Sequence, residues 1–221
     1  MTDFKRFAVY YAPPPGDFAT RANLWLSDAA PDLPGLPGPA ATLTAAPRRY
    51  GFHGTIKAPF RLAEGVDARL LQSDLAALAT RLPPVRMAGL RMEILKGFLA
   101  FTPEGDETDL LALGAEVVSC LDPLRAPLTE AEVARRRPDR LSPRQRELLA
   151  RWGYPYVMEE FRFHLTLTDD LPPAAAQATA AILGPWFAEV LPRPFDITDL
   201  CLFGEDGDGR FHLLHRYPLT G

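Results

Sequence analysis

The chain has 221 residues, 47% of them hydrophobic, which is enough for a sizeable core in one large domain or two closely packed lobes. Its formal net charge of −4 argues against a general nucleic-acid-binding protein, because such proteins usually carry a basic excess. No stretch is long and apolar enough to span a membrane, so we expect no membrane partner.

The N-terminal residues and the two cysteines together predict a cytoplasmic protein. The first residues become polar before any apolar run is long enough for a signal peptide. Cys120 and Cys201 lie far apart in apolar contexts, which predicts two buried thiols and no disulfide framework.

The first half of the chain is predicted to contain strands and helices separated by proline-rich breaks. Pro13-Pro14-Pro15-Gly16 ends the first strand, and leucines near helical spacing indicate the helix over residues 67–82. The predicted elements are a strand over residues 4–12, a helix over 17–29, an irregular loop over 31–47, a strand over 50–62, a helix over 67–82, strands over 85–95 and 97–102, and a helix over 107–121.

The second half begins with a segment, residues 122–158, whose sequence indicates short helices. Thr129 and Ser142-Pro143 are typical helix starts, so residues 122–158 are predicted to form an inserted helical hairpin beside the groove, able to act as a lid. A strand over 160–168, a helix over 173–190 and strands over 195–204 and 210–217 follow, the last two joined by a tight turn at Asp206-Gly207-Asp208-Gly209.

The same order of elements occurs twice, which predicts a duplicated architecture. The interval from the motif histidine to the next strand is 32 residues from His53 to Val85 and 31 residues from His164 to Phe195. We therefore expect an α+β fold of two pseudo-twofold strand-helix-strand-strand units, with antiparallel sheets around a central groove. The single domain, residues 1–221, would comprise lobe one over about 50–121, the insert over about 122–158 and lobe two over about 159–221, with the N-terminal strand and helix 4–29 packed on the lobes.

Each unit opens with a Phe-His-x-Thr-aliphatic run, residues 52–56 and residues 163–167. Side chains alternate along a strand, so His53 and Thr55 share one face, and His164 and Thr166 share another. A single histidine on an apolar strand is more often structural than catalytic, but the duplication favours function for both.

These paired motifs resemble the signature of the two-histidine phosphoesterase superfamily. Residues 48–60 and 154–168, which carry the motifs, are similar to a bacterial branch associated with phosphonate-utilisation operons. The resemblance implies a bilobal α+β fold around a groove, and cleavage of cyclic phosphates or 2′-5′ phosphodiesters without a metal.

The four motif residues can carry out phosphodiester cleavage. The ordinary pKa of histidine, ~6.5, suits proton transfer near neutral pH, so His53 and His164 can serve as base and acid, in an order that the sequence leaves open. The hydroxyls of Thr55 and Thr166 can donate to the phosphoryl oxygens as charge develops. There is no cysteine pair and no third ligand beside the other histidines, so we predict no metal and no other cofactor.

Five further residues are candidates for substrate binding. Lys57 has the same strand parity as Thr55, and Arg49 has the parity of His53 if the strand extends that far back. Tyr10 could contribute from the first strand, and Tyr154 and Tyr156 from the end of the insert. For each of them a structural or surface role is the alternative. The run of arginines at 135–137 is most simply a solvated helix end, or else attracts an anionic substrate.

Three functions are compatible with these residues. The first is a small-molecule cyclic phosphodiesterase that opens a ribosyl cyclic phosphate in phosphonate breakdown, as the resemblance suggests. The second is an RNA-end or nucleotide 2′,3′-cyclic phosphodiesterase, although the acidic balance disfavours polymeric nucleic acid. The third is a non-catalytic regulator that binds a nucleotide or an anion. The expected partner is a small phosphorylated substrate, and the oligomeric state stays open.

Overall fold

The computed structural model describes residues 4–221, and residues 1–3 lie outside the described part of the chain. The strands are β1 (Arg6–Tyr11), β2 (Gly54–Phe60), β3 (Val85–Met87), β4 (Gly89–Leu95), β5 (Phe98–Glu104), β6 (Leu165–Thr166), β7 (Phe195–Ile197), β8 (Asp199–Glu205) and β9 (Phe211–Pro218). The helices are α1 (Asp17–Trp25), α2 (Ala40–Leu43), α3 (Pro47–Tyr50), α4 (Ala68–Ala79), α5 (Thr108–Leu121), α6 (Glu130–Arg135), α7 (Pro143–Trp152) and α8 (Pro173–Ala188).

Seven strands form one antiparallel sheet in the order β4-β5-β6-β2-β1-β8-β9, and β3 pairs with β7 in a small second sheet. The predicted α+β class is therefore confirmed, and the strand-helix-strand-hairpin order is repeated. The two motif strands, β2 and β6, are direct neighbours at the middle of the large sheet. The hairpin of the first repeat lies beside β6, which belongs to the second repeat, and β1 joins β2 to the hairpin of the second repeat.

One face of the large sheet is covered by helices and contains the main core. The apolar sides of α1, α4, α5 and α8 pack there against alternate residues of the strands. The phenylalanines that precede both motif histidines, Phe52 and Phe163, point into this core and are buried. The histidines therefore face the opposite side of the sheet, which the helices leave open.

Side-chain caps fix the starts of three helices. Asp67 caps α4 by accepting a hydrogen bond from the Leu70 N–H at 2.9 Å. Both helices of the insert begin with a capping box, formed by Thr129 and Glu132 in α6 and by Ser142 and Gln145 in α7.

Three predictions about local structure are wrong. The strand predicted over 160–168 is only two residues long, as β6, and a 3-10 helix occupies Met158–Glu160. The loop over 31–47 is interrupted by α2, which follows Pro39 at its N-cap, and leads into α3. Pro47 can begin α3 because a proline at the first position of a helix costs no hydrogen bond. Cys120 is exposed on α5, whereas Cys201 is buried as expected, and neither forms a disulfide.

The insert is fixed to the rest of the molecule at both ends. Leu62 and Arg125 form an isolated antiparallel bridge just after β2, reinforced by the hydrogen bond from the Ala126 N–H to the Arg61 carbonyl at 2.8 Å. At its far end, Val157 packs in a small cluster with Leu148 of α7 and Val118 of α5. The insert therefore forms a wall beside the open face of the sheet.

Candidate active site

The pairing of β2 with β6 brings the two motifs together. Gly54 lies opposite Leu165 in antiparallel register. It follows that His53 lies opposite Thr166 and that Thr55 lies opposite His164, all on one face of the sheet. The two histidines are thus diagonal neighbours, with Cα atoms roughly 7–8 Å apart. This spacing allows the two imidazoles to flank one phosphate.

Both imidazoles are held by the same contact. His53 Nδ1 donates to the Gly51 carbonyl at 3.0 Å, and His164 Nδ1 donates to the Arg162 carbonyl at 2.8 Å. A carbonyl oxygen can only accept, so Nδ1 carries a proton in each ring. In the neutral form, each Nε2 is left with a free lone pair.

The two histidines differ in their surroundings. His53 stacks on Tyr10 with ring centroids 3.9 Å apart and planes 21° apart, and Phe203 lies close by. Burial lowers the pKa of His53 to about 4, although the Gly51 carbonyl opposes this shift, and the charge of His164 lowers the pKa further. His164 packs on Phe98, at 5.6 Å between centroids. His53 is therefore neutral at pH 7 and suited to accept a proton.

Position 54 in the first motif must be glycine because Phe163, which precedes the histidine of the second motif, packs directly against it. A Cβ at position 54 would lie 2.3 Å from the Phe163 ring, which is fixed in the core with 2% exposure. The close approach of the Phe163 ring to the backbone of β2 leaves room only for glycine.

Two adjoining cavities surround the histidine and threonine side chains. One has a volume of about 710 Å³ and is lined by His53, Thr55 and Thr166. The other, of about 500 Å³, is lined by His164 and again by Thr55. Volumes of this size are typical of small-molecule sites.

The walls of the two cavities differ in chemistry. Arg6, Tyr50 and Arg136 line the cavity beside His53. The cavity beside His164 includes Ile94 and Tyr156, which are exposed to 42% and 40%, together with the charged side chains of Lys96, Glu160 and Arg162. The cavity beside His53 thus combines three cationic side chains with Asp169 and Asp170, whereas the cavity beside His164 adds exposed apolar side chains.

The structure places three of the five further candidates on these walls. Tyr10 lines the cavity beside His53, Tyr156 lines the cavity beside His164, and Tyr154 lines both. Each reaches the groove from the element that the sequence predicted, either the first strand or the end of the insert.

The predicted face of Lys57 is wrong. A bulge at Ile56 lets Tyr10 pair with Thr55 while Val9, the preceding residue, pairs with Lys57. Lys57 therefore points away from the groove and is buried, with its ammonium donating to the Val118 carbonyl at 3.2 Å. Burial lowers the pKa of Lys57 to about 8.

The assumed strand position of Arg49 is also wrong. Arg49 lies on α3 and Gly51 has a φ of 72°, so β2 does not extend back to it. Its exposed side chain lines neither cavity beside the histidines. Tyr50, its neighbour, faces the cavity instead.

Other groove residues were not singled out as binding candidates from the sequence. Lys96, in the hairpin turn between β4 and β5, and Phe98, the first residue of β5, line both cavities. Arg6 has the parity of Tyr10 on β1, a signal that was available in the sequence. Nothing in the local sequence indicates which arginine of the insert faces the groove.

Two features are absent from the part of the chain that the structure describes. Among residues 4–221, no three His, Cys, Asp or Glu side chains are grouped so that they could hold a metal ion. Within the same range, no helix combines the length and apolarity needed to cross a bilayer.

Comparisons with known sequences find one family and longer relatives. The model of a family described as "Protein of unknown function (DUF1045)" matches residues 55–212. A relative named ribose 1,5-bisphosphate phosphokinase PhnN, from Janthinobacterium sp. (strain Marseille), is 40% identical over 231 residues, which cover 98% of this chain and 51% of the relative. A protein of the same name from Laribacter hongkongensis (strain HLHK9) is 37% identical over 211 residues, covering 92% and 49%. The chain thus spans about half the length of the curated relatives it matches.

Solved structures that resemble the chain include two complexes of E. coli LigT. The complex with NADP+ is 17% identical, covers 100% of both chains and has a TM-score of 0.49. The complex with 3'-AMP is also 17% identical, covers 99% of this chain and 100% of the other, and has a TM-score of 0.47.

Proposed function

The chain belongs to the family of proteins described as DUF1045, and on that premise we propose that it is a phosphoesterase that opens a cyclic phosphodiester without a metal. The observation that carries the proposal is the square of two imidazoles and two hydroxyls on the open face of the sheet, formed by the pairing of Gly54 with Leu165. Both Nδ1 atoms are held by carbonyls, so both Nε2 atoms can serve in proton transfer.

In this mechanism His53 is the general base and His164 the general acid. A water molecule attacks the phosphorus and gives its proton to Nε2 of His53, which is neutral at pH 7. The bond from phosphorus to one ring oxygen breaks, and that oxygen takes a proton from Nε2 of His164. Thr55 and Thr166 donate hydrogen bonds to the non-bridging oxygens as negative charge develops. The product is a phosphate monoester with one new hydroxyl group.

The finer proposal is that the substrate is 5-phosphoribosyl 1,2-cyclic phosphate. Breaking the bond from phosphorus to O2 leaves the phosphate on O1 and yields ribose 1,5-bisphosphate, the compound in the printed name of both relatives. That name describes a kinase, and this chain spans about half of those proteins. We assign the ring-opening step to this half because its groove presents imidazoles and hydroxyls toward one small anion.

A nucleoside 2′,3′-cyclic phosphate is the second candidate substrate. The observation that favours it is the set of apolar side chains in the cavity beside His164, where Ile94, Phe98 and Tyr156 could hold a planar base. The same four motif residues would act on the phosphate of such a substrate.

The experiment compares the two substrates with EDTA present and follows the products by ³¹P NMR. We expect turnover of 5-phosphoribosyl 1,2-cyclic phosphate to ribose 1,5-bisphosphate, and a loss of ~10²–10⁴-fold in kcat for His53→Ala and for His164→Ala. His215→Ala is the matched control, because His215 is exposed on β9 and lines neither cavity beside the motif histidines. Turnover of 2′,3′-cyclic AMP alone would move the assignment to the second candidate. Unchanged turnover in both histidine variants would reject catalysis by this pair.

A further inference from the structure

Three cationic side chains line the cavity beside His53, and only one of them is both half-buried and without an acidic partner. Arg6 is neutralised by Glu205, with Nε and Oε2 2.5 Å apart. Lys96 is exposed on a hairpin turn. Arg136 is half-buried and forms no ion pair with any carboxylate of residues 4–221. A guanidinium that faces a cavity without an acidic partner is available to pair with an anion that enters the cavity.

The guanidinium of Arg136 is already positioned to receive such an anion. Its Cζ lies 4.8 Å from the centroid of the Tyr154 ring. Stacking on a ring uses the flat face of the guanidinium and leaves its N–H edges free. Those edges match two oxygens of a phosphate, so that the group can bind bidentately.

The backbone that carries Arg136 is anchored to the catalytic sheet. Glu132, in the first turn of α6, accepts two hydrogen bonds from Arg61 at 3.0 and 2.9 Å, immediately after β2. The same carboxylate completes the capping box with Thr129. The Arg136 N–H then donates to the Val133 carbonyl at 3.0 Å as the helix ends. The position of Arg136 is therefore set relative to β2, the strand that follows His53.

We propose that Arg136 binds a second, non-reacting phosphate monoester of the substrate, and so selects cyclic phosphates that carry one. This inference rests on the proposed function, because it assigns the reacting phosphate to His53 and His164. Asp169 and Asp170 also line this cavity and would repel a dianion, whereas Arg136 offers an unpaired charge. The enzyme thus has one subsite for the reacting diester and a separate subsite for the monoester.

The test compares kcat/KM for 5-phosphoribosyl 1,2-cyclic phosphate with that for ribosyl 1,2-cyclic phosphate, which lacks the second phosphate. In Arg136→Ala we expect the preference for the phosphorylated substrate to fall by about 10- to 100-fold, the usual loss for a charge-assisted phosphate contact. Arg136→Lys should restore part of the preference, since it keeps the charge but not the bidentate geometry. Arg135→Ala is the matched control, because Arg135 is the exposed preceding residue. An equal loss on both substrates in Arg136→Ala would overturn the proposal.

A binding measurement separates failure of this inference from failure of the proposed function. If the wild type opens neither cyclic phosphate, calorimetric titration with ribose 5-phosphate, and with ribose as the uncharged control, tests Arg136 directly. Binding that Arg136→Ala abolishes and Arg135→Ala retains supports the phosphate subsite. Absence of binding to the wild type, or equal binding to Arg136→Ala, rejects the subsite.

Discussion

Removing the ring that stacks on His53 should shift the acidic limb of the pH profile. The Tyr10 ring is 3.9 Å from the His53 ring and shields it from water, and burial lowers the pKa of His53 to about 4. In Tyr10→Ala, water reaches the imidazole, so we expect the pKa to rise toward the ordinary value of ~6.5. Tyr10→Phe keeps the ring and should leave the pKa low.

The size of the effect follows from the fraction of His53 that is neutral. At pH 5 a group with a pKa of about 4 is ~90% neutral, whereas one with a pKa of ~6.5 is only ~3% neutral. If His53 is the general base, kcat/KM of the free enzyme follows this neutral fraction. Tyr10→Ala should therefore lose up to about 30-fold in kcat/KM at pH 5, beyond any loss that it shows at pH 7.5.

The assay measures kcat/KM between pH 4 and pH 8 for the wild type and both Tyr10 variants. The ratio of variant to wild type cancels the titration of the substrate. Thermal unfolding at each pH shows that the variants stay folded, which matters because Tyr10 is 2% exposed. An acidic limb at the same pH in all three proteins would refute the shielding argument. Activity that rises as His53 becomes protonated would refute its role as the base.

Three further predictions concern stability. Gly54→Ala should lower both the melting temperature and the activity, because its Cβ would lie 2.3 Å from the Phe163 ring, and a second substitution, Phe163→Leu, should recover part of both. Lys57→Met should raise the melting temperature at pH 7. The folded-state pKa of Lys57 is lowered to about 8 from 10.5, so wild-type stability should rise with pH across that window, and the variant should lack the rise. Glu132→Gln should make the insert easier to cleave in limited proteolysis, because it weakens the hydrogen bonds with Arg61 that stabilise the insert. These bonds are the chief reason that the pKa of Glu132 is lowered to about 2 from 4.5. The stabilisation is therefore present above pH 4.5 and is lost as the pH falls through about 2.

The sequence predicted which four side chains lie together in the candidate site because the signal was local and duplicated. Strand parity places His53 with Thr55 and His164 with Thr166, and the repeat implies that the two pairs meet. The side-by-side pairing of β2 and β6 in a single sheet was not predictable, since strand neighbours are chosen by long-range packing.

The predictions of which side chains point into the groove were wrong where the backbone departs from regular strand geometry. The bulge at Ile56 reverses the parity of Lys57, which therefore lies in the core and not in the groove. A second shift of the register follows between Lys57 and Phe60, and Phe60 lies in the core. The helix α3 removes Arg49 from strand geometry in a similar way. Arg136 could not be distinguished from its two arginine neighbours, because its direction depends on how the end of α6 packs against Tyr154, a residue near the end of the insert.

Each hairpin lies on the side of the motif strand from the other repeat, and this arrangement limits the function of a chain that contains only one repeat. Each motif strand completes its hydrogen bonding through strands distant in sequence, as β6 does with β5 and β2 does with β1, and β3 joins β7 across the repeats. The sheet can therefore be completed only when residues near both chain ends have come together. We expect slow folding, because non-local contacts dominate. A molecule with only one repeat would contain one of the two motif histidines. It could bring two imidazoles and two hydroxyls together only by pairing with another copy of itself.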